Sequence, residues 1–233
     1  MSRVAVLQSN YIPWKGYFDI IHDVDLFVFY DEVQYTKNDW RNRNRIYGED
    51  GLKWLTLPCG YDLTRKINEV RLKNELNWYV KHSESLQTTY KNALYYNKYE
   101  EFLESVYYEN RWEYLSELNQ FVIKHIACEF LGIRTKFADS SDYASDGSKS
   151  EKLLTLLLSI GCDEYVTGSA AKSYLNENVY NENGIRITWK DYTGYPEYKQ
   201  MRLPFESNVS ILDLLLNTGD EAPYYIWGWR ESC

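Results

Sequence analysis

Two stretches hold the residues of this chain best able to do chemistry: Gln8 to Phe18, QSNYIPWKGYF, and Asp31 to Ile46, DEVQYTKNDWRNRNRI. The first offers amides and hydroxyls around a stiffening Pro13, and Gly16 beyond it permits close backbone approach. Gln8, Asn10, Tyr11 and Trp14 are therefore expected to contact a substrate, with a tight turn packed by Trp14 and Tyr17 as the plainer alternative. The second places Asp31 and Glu32 ahead of Gln34, Asn38 and Asn42 and of four cations, Lys37, Arg41, Arg43 and Arg45. Asp31 and Glu32 could position a metal, a sugar hydroxyl or an amine. An arginine fork meets phosphate oxygens two at a time, so Arg41 and Arg43 are expected to hold an anionic group such as a nucleotide diphosphate. The alternation Arg41-Asn42-Arg43-Asn44-Arg45 sends the arginines to one face of an extended segment. A solvated hairpin arm or a homodimer contact is the plainer use of that face.

His82 shares a helical row with Trp78, Leu86, Tyr90 and Leu94, each four residues apart. That row half-buries the imidazole and makes it a candidate acid or base, although a satisfied core histidine fits equally well. His125 reads as structural and His22 as a helix C-cap. Between a strand pattern and a helix pattern lies Thr167-Gly168-Ser169-Ala170-Ala171-Lys172. Small residues and free N–H groups there make an anion nest, with Ser169 and Lys172 in reach of a phosphate or carboxylate. The tyrosine-dense segment 192–200 suits sugar stacking or a lid, with loop packing as the alternative. No GxGxxG, GxxxxGK[ST] or GxSxG pattern occurs, which excludes the dinucleotide fingerprint, the P-loop and the hydrolase elbow.

These residues can cooperate only if strand ends gather them. Apolar runs at 3–7 and 26–31 precede the two segments, with a helix at about 15–22 between them. A strand at 52–58 follows, then helices at about 77–96, 98–109 and 113–131, the last striped by Leu115, Leu118, Val122, Ile126 and Phe130. Strands at 133–138, 163–167 and 185–190 then alternate with helices at 149–160 and about 170–182, and a final helix spans about 210–217. Ser148-Lys149-Ser150-Glu151 and Ser210-Ile211-Leu212-Asp213 match the capping box, and Gly132, Gly161 and Gly184 stand where helices should end. The pattern predicts one α/β domain over 1–233, Rossmann-like with a mostly parallel sheet, in which 77–131 is a helical insertion. Ligands of such sheets sit beyond the carboxyl ends of the strands, where strand order reverses. The loops at 8–15, 31–45, 59–65, 139–147, 168–174 and 191–202 are accordingly the expected site.

A balance of 26 basic against 34 acidic residues excludes general nucleic-acid binding. No apolar run approaches the roughly 18 residues of a membrane span. Met1 leads at once into a strand pattern and leaves no room for a signal peptide, so a cytoplasmic protein is expected. Cys59, Cys128, Cys162 and Cys233 are scattered and read as reduced thiols, not as a disulfide framework or a zinc site. The 23 tyrosines and 8 tryptophans suit stacking on sugars or bases, with an aromatic-rich core as the equal alternative.

Taken in order, QSNYIPWKGYFDII (8–21), DEVQYTKNDWRNRNRI (31–46), KWLTLP (53–58), the loop from Gly168-Ser169 to Tyr174-Leu175, YPEYKQ (195–200) and SILDLLLNTG (210–219) resemble the WbqC-like protein family. Many relatives read H-Q-P-N-Y-L-P-W at the first motif. This chain has Leu7-Gln8-Ser9-Asn10-Tyr11-Ile12-Pro13-Trp14, without the histidine and the first proline. The resemblance implies a bacterial protein associated with O-antigen or other surface-polysaccharide synthesis. It further implies a transferase or ligase that attaches an amino acid such as glycine to the amine of a nucleotide-linked sugar. On that reading Arg41 and Arg43 hold the diphosphate, and Tyr174, Tyr198 and Gln200 join Gly168, Ser169 and Lys172 around the substrate. Asp31 or His82 takes the proton of the amine. ATP, a charged aminoacyl carrier or a thioester would supply the activated carboxyl. A glycosyltransferase-like enzyme using the same donor and a non-catalytic sugar-nucleotide-binding subunit are the alternatives.

Overall fold

The computed structural model describes residues 2–147 and 149–232; Ser148, the expected cap, and Cys233 lie outside the described residues. In chain order the elements begin with β1 (Arg3–Leu7), α1 (Lys15–His22), β2 (Leu26–Phe29), β3 (Arg43–Gly48), β4 (Gly51–Thr56), α2 (Trp78–Tyr90), α3 (Glu100–Glu104) and α4 (Leu115–His125). They continue with β5 (Lys136–Asp139), α5 (Lys149–Ile160), β6 (Glu164–Gly168), α6 (Glu177–Glu182), β7 (Arg186–Lys190) and α7 (Ile211–Thr218).

Along β1 the side chains alternate, Val4 and Val6 toward one buried layer and Ala5 toward the other. Phe27 and Phe29 against Val28 repeat this in β2. Strands apolar on both sides must lie inside a sheet covered on two faces, which is where parallel sheets occur. Five strands form such a sheet, all parallel, in the order β5-β2-β1-β6-β7. One face packs on α1, α4 and α7 through residues such as Phe18, Ile21, Val122 and Leu215. The other packs on α5 and α6 through Leu153, Leu156, Leu157 and Tyr180. The architecture is the α/β, Rossmann-like one that the sequence predicts.

The chain builds outward on one side of β1, then returns to the other side, so strand order reverses between β1 and β6. Those two strands pair only at Arg3–Glu164 and Val4–Tyr165. Beyond these pairs they part toward their carboxyl ends, and the gap is the crevice that ligands of this architecture occupy.

Several expectations need correction. The expected strand at 52–58 is not in the parallel sheet: Gly51–Thr56 pairs antiparallel with Arg43–Gly48 in a separate two-stranded hairpin. The segment expected as a loop up to residue 46 therefore ends as a strand, with Asn42 and Asn44 turned inward and the arginines outward. The helix expected at 77–96 stops at Tyr90, and those at 98–109 and 113–131 finish in wider π turns, Ser105–Glu109 and Ile126–Phe130. A tight 3-10 turn, Ser169–Ser173, replaces the start of the helix expected at 170–182. Gly132, Gly161 and Gly184 adopt the left-handed conformation that terminates a helix, as expected. Ser210 caps α7 by accepting from the Leu212 N–H at 3.2 Å, but Asp213 turns inward and does not complete a capping box. Among the described residues no helix is long and apolar enough to cross a membrane.

Candidate active site

Three loops at the carboxyl ends of β1, β2 and β5 are tied together by two residues of α4. The Ser9 N–H donates to Asp31 Oδ1 at 2.8 Å, joining the loop after β1 to the one after β2. Gln120 Nε2 donates to Asp139 Oδ1 at 2.7 Å and to Asp31 Oδ2 at 3.2 Å. Asn119 Nδ2 donates to the Arg41 carbonyl at 2.9 Å and to that of Ser9 at 3.4 Å. The helical region between β4 and β5 thus fixes the rim of the sheet. Neither Asn119 nor Gln120 stood out in the sequence. A signal existed, since Asn119 falls on the apolar side of its helix one residue after Leu118 and is fully buried.

Above this framework the parted ends of β1 and β6 open into a cleft of about 1120 Å³. Gln8 enters from β1, Glu32 and Gln34 from the segment after β2, and Thr167 and Tyr174 from β6 and its turn. Lys37, Asp39 and Arg41 line one wall, and Lys152 of α5 reaches in from the opposite face of the sheet. Arg41 is held in place before any ligand arrives: Nη1 donates to Asp39 Oδ2 at 2.8 Å and Nη2 to Gln8 Oε1 at 3.0 Å. Thr36 Oγ1 also donates to Asp39, at 2.7 Å. A guanidinium carries five N–H donors, so Arg41 keeps others for an incoming anion. Glu32 accepts from Ser140 Oγ at 3.2 Å and borders the cleft. Lys152 had no sequence signal, because a lysine in the first turns of a helix looks like ordinary surface charge.

Of the residues expected to bind substrate, Gln8, Gln34, Arg41 and Tyr174 come together in this cleft. Asn10 and Trp14 line a separate pocket of about 270 Å³. The Trp14 indole lies so close over Gly16 that a Cβ there would sit 2.3 Å from it, and it covers the first turn of α1. Asn38 is exposed at the tip of its loop, in the left-handed region. Asn42 is buried and donates to the Leu57 carbonyl at 3.1 Å, while Arg43 stacks on Trp54 at 4.3 Å. Gly168 packs beneath the Tyr192 hydroxyl, Ser169 is exposed, and Lys172 points over Trp189 at 5.3 Å instead of into the cleft.

Asp31 lies buried below the cleft, and burial is the main cause that raises its carboxyl, against the bonds from Ser9 and Gln120. His82 is 6% exposed in the core with Trp78 and Tyr107 around it. Its Nδ1 meets the Tyr11 hydroxyl at 2.8 Å, and that hydroxyl meets Tyr107 at 2.7 Å. Burial lowers the His82 pKa to about 4, so the ring is neutral near pH 7 and enclosed. Tyr198 and Gln200 are buried too. Tyr198 Oη and Gln200 Nε2 each donate to Asp213 Oδ1 at 2.8 Å. The structure therefore uses Tyr11, His82, Tyr198 and Gln200 to hold the fold, away from the cleft lining.

The model of the WbqC-like protein family matches residues 8–225. An uncharacterized protein of Mycobacterium tuberculosis, Rv1507c, is 45% identical over 233 residues, covering 99% of this chain and 100% of its own length. No solved structure matches the chain. The motifs that build the cleft rim, from Gln8 just past β1 to the segment after β6, fall within the matched region, and the chain belongs to the WbqC-like protein family.

Proposed function

We propose that this protein is an acyl-transferring enzyme that binds a nucleotide-linked amino sugar in the cleft between β1 and β6 and joins an amino acid such as glycine to the sugar amine. One observation carries the reading: the crevice at the strand-order reversal is lined by Lys37, Arg41 and Lys152 together with the amides of Gln8 and Gln34. Cations with side-chain amides suit a diphosphate attached to a hydroxylated ring. Arg41, braced by Asp39 and Gln8, takes the diphosphate. Tyr174, exposed at the rim, offers its ring to the base or the sugar.

In the reaction the sugar nitrogen attacks an activated carboxyl carbon. An N–C bond forms, the bond from carbon to its activating oxygen or sulfur breaks, and the leaving group departs with that electron pair. The amine sheds a proton in the process. Among the described residues Glu32 is a carboxylate that borders the cleft and accepts from Ser140, and it receives the proton. Asp31 acts beneath as a positioning residue through Ser9. The activated carboxyl comes from an acyl phosphate or adenylate made with ATP, from a thioester, or from a charged carrier.

Mass spectrometry tests this directly. Purified protein incubated with UDP-, dTDP- and GDP-linked amino sugars, glycine and ATP, or a charged carrier, should add one aminoacyl residue to a nucleotide sugar. Loss of the nucleotide from the sugar would point to glycosyl transfer instead, and saturable binding without turnover to a binding subunit.

A further inference from the structure

The segments 8–10 and 39–41 run side by side, joined by the Tyr11 N–H to the Trp40 carbonyl at 2.9 Å and by Arg41 to Gln8. The side chains of this pair divide between two sites. Gln8, Asp39 and Arg41 line the cleft, whereas Asn10 and Trp40 line the smaller pocket with Pro13, Trp14, Asn44 and Asn208. That pocket has two indole walls and no charged side chain in its lining. Trp40 is 44% exposed, so its indole leaves an open apolar face at the pocket. Its ring is braced by Trp54 at 5.9 Å, which in turn carries the Arg43 guanidinium.

The polar side of the pocket is unfinished. Asn44 Nδ2 is already committed to the carbonyls of Tyr11 and Ile12, at 3.3 and 2.9 Å. Asn10 Oδ1 is buried and has no hydrogen-bond partner. A buried acceptor left unpaired is costly, so a turn of the Asn10 amide that brings Oδ1 to a donor held in the pocket is favoured. The complementary molecule presents an O–H or N–H to Asn10 and an apolar face to the indoles. It must also be small, since about 270 Å³ is below the size of pockets that hold nucleotide-sized ligands. A pyranose meets all three conditions, with hydroxyls around its edge and C–H faces that pack on aromatic rings.

We propose that the pocket between Trp14 and Trp40 is a second binding site, which takes the ring of a pyranose sugar. It stands independently of what the cleft binds.

Saturation-transfer NMR on the full-length protein tests the assignment, with the methyl glycosides of glucose and of N-acetylglucosamine as probes and UDP as a separate probe of the cleft. The parent and Arg41→Ala should both transfer to the ring protons of at least one glycoside. Trp40→Ala, at an exposed position, should bind it about fivefold to tenfold more weakly. Gly16→Ala should weaken it as well, because the new Cβ displaces the Trp14 indole. UDP binding should fall in Arg41→Ala and stay unchanged in Trp40→Ala. The proposal is overturned if neither glycoside binds the parent, if both pocket variants bind as the parent does, or if free adenine or uracil binds there and the glycosides do not. A failure of UDP to bind would count against the cleft reading alone.

Discussion

Asp213→Asn should change how stability depends on pH while leaving the fold in place. Asp213 is fully buried in α7 and accepts from Tyr90 Oη, Tyr198 Oη and Gln200 Nε2, each at 2.8 Å. Burial outweighs these bonds and raises the carboxyl from 3.8 to about 6. Between those values the native state holds a proton that the unfolded chain has released. The resulting stabilisation is complete below the unfolded value and is lost as pH rises through the folded one. A rise of that size is worth about 3 kcal/mol. His82 works in the opposite sense. Burial lowers it from 6.5 to about 4, so its contribution is present above 6.5 and lost as pH falls through that window. In the parent protein the two titrations largely offset each other. Asparagine keeps an acceptor for Tyr198 and Gln200, and its amide can donate to the Tyr90 hydroxyl, so the packing survives. The unfolding free energy of Asp213→Asn relative to the parent should therefore rise by about 3 kcal/mol between pH 4 and 7, read from urea curves at each pH. A relative stability flat across that range would refute the burial argument and restore Tyr198 and Gln200 as candidate ligand contacts.

Arg41→Ala should weaken UDP binding at least tenfold in calorimetry, since a charged hydrogen bond contributes about 1.5–3 kcal/mol; unchanged affinity would remove Arg41 from the site. Tyr11→Phe deletes the hydroxyl between His82 and Tyr107 and should cost about 1–3 kcal/mol in urea unfolding. The same variant should leave UDP affinity as it is, and a loss of binding would place this trio near the ligand. Asn119→Ala removes the donor shared by Ser9 and Arg41, and should both destabilise the protein by about 1–3 kcal/mol and weaken UDP binding. Destabilisation without weaker binding would show that the loop holds its shape alone.

The sheet was legible because its strands are apolar on both sides and because Gly132, Gly161 and Gly184 end helices just before strands. The hairpin was only half legible. Arg41 to Arg45 has the period of a strand, but its inward residues are asparagines that bond to neighbouring loops, so no hydrophobic pattern marks the pairing. Within the site, residue type misled where a polar group was serving another buried polar group. Tyr198 and Gln200 look like ligand contacts until Asp213 is seen beneath them, and that contact joins positions 13 to 15 residues apart through a loop. The row of His82 is buried from Trp78 to Tyr90 but not at Leu94, which lies past the helix end and is exposed, and it faces Tyr11 and Tyr107 and not the cleft. Gln8 and Arg41 were legible because a strand end fixes where a loop begins. Lys152 was not, because the sequence does not say which turn of α5 overhangs the crevice.

The crevice between β1 and β6 is proposed to receive a nucleotide-linked sugar. A crystal structure of the protein soaked with a UDP-linked amino sugar tests it most directly. A diphosphate should lie within hydrogen-bond distance of the Arg41 guanidinium, with the sugar amine facing Glu32. A ligand bound elsewhere, with the Arg41–Asp39 pair untouched and the crevice empty at saturating concentration, would contradict it.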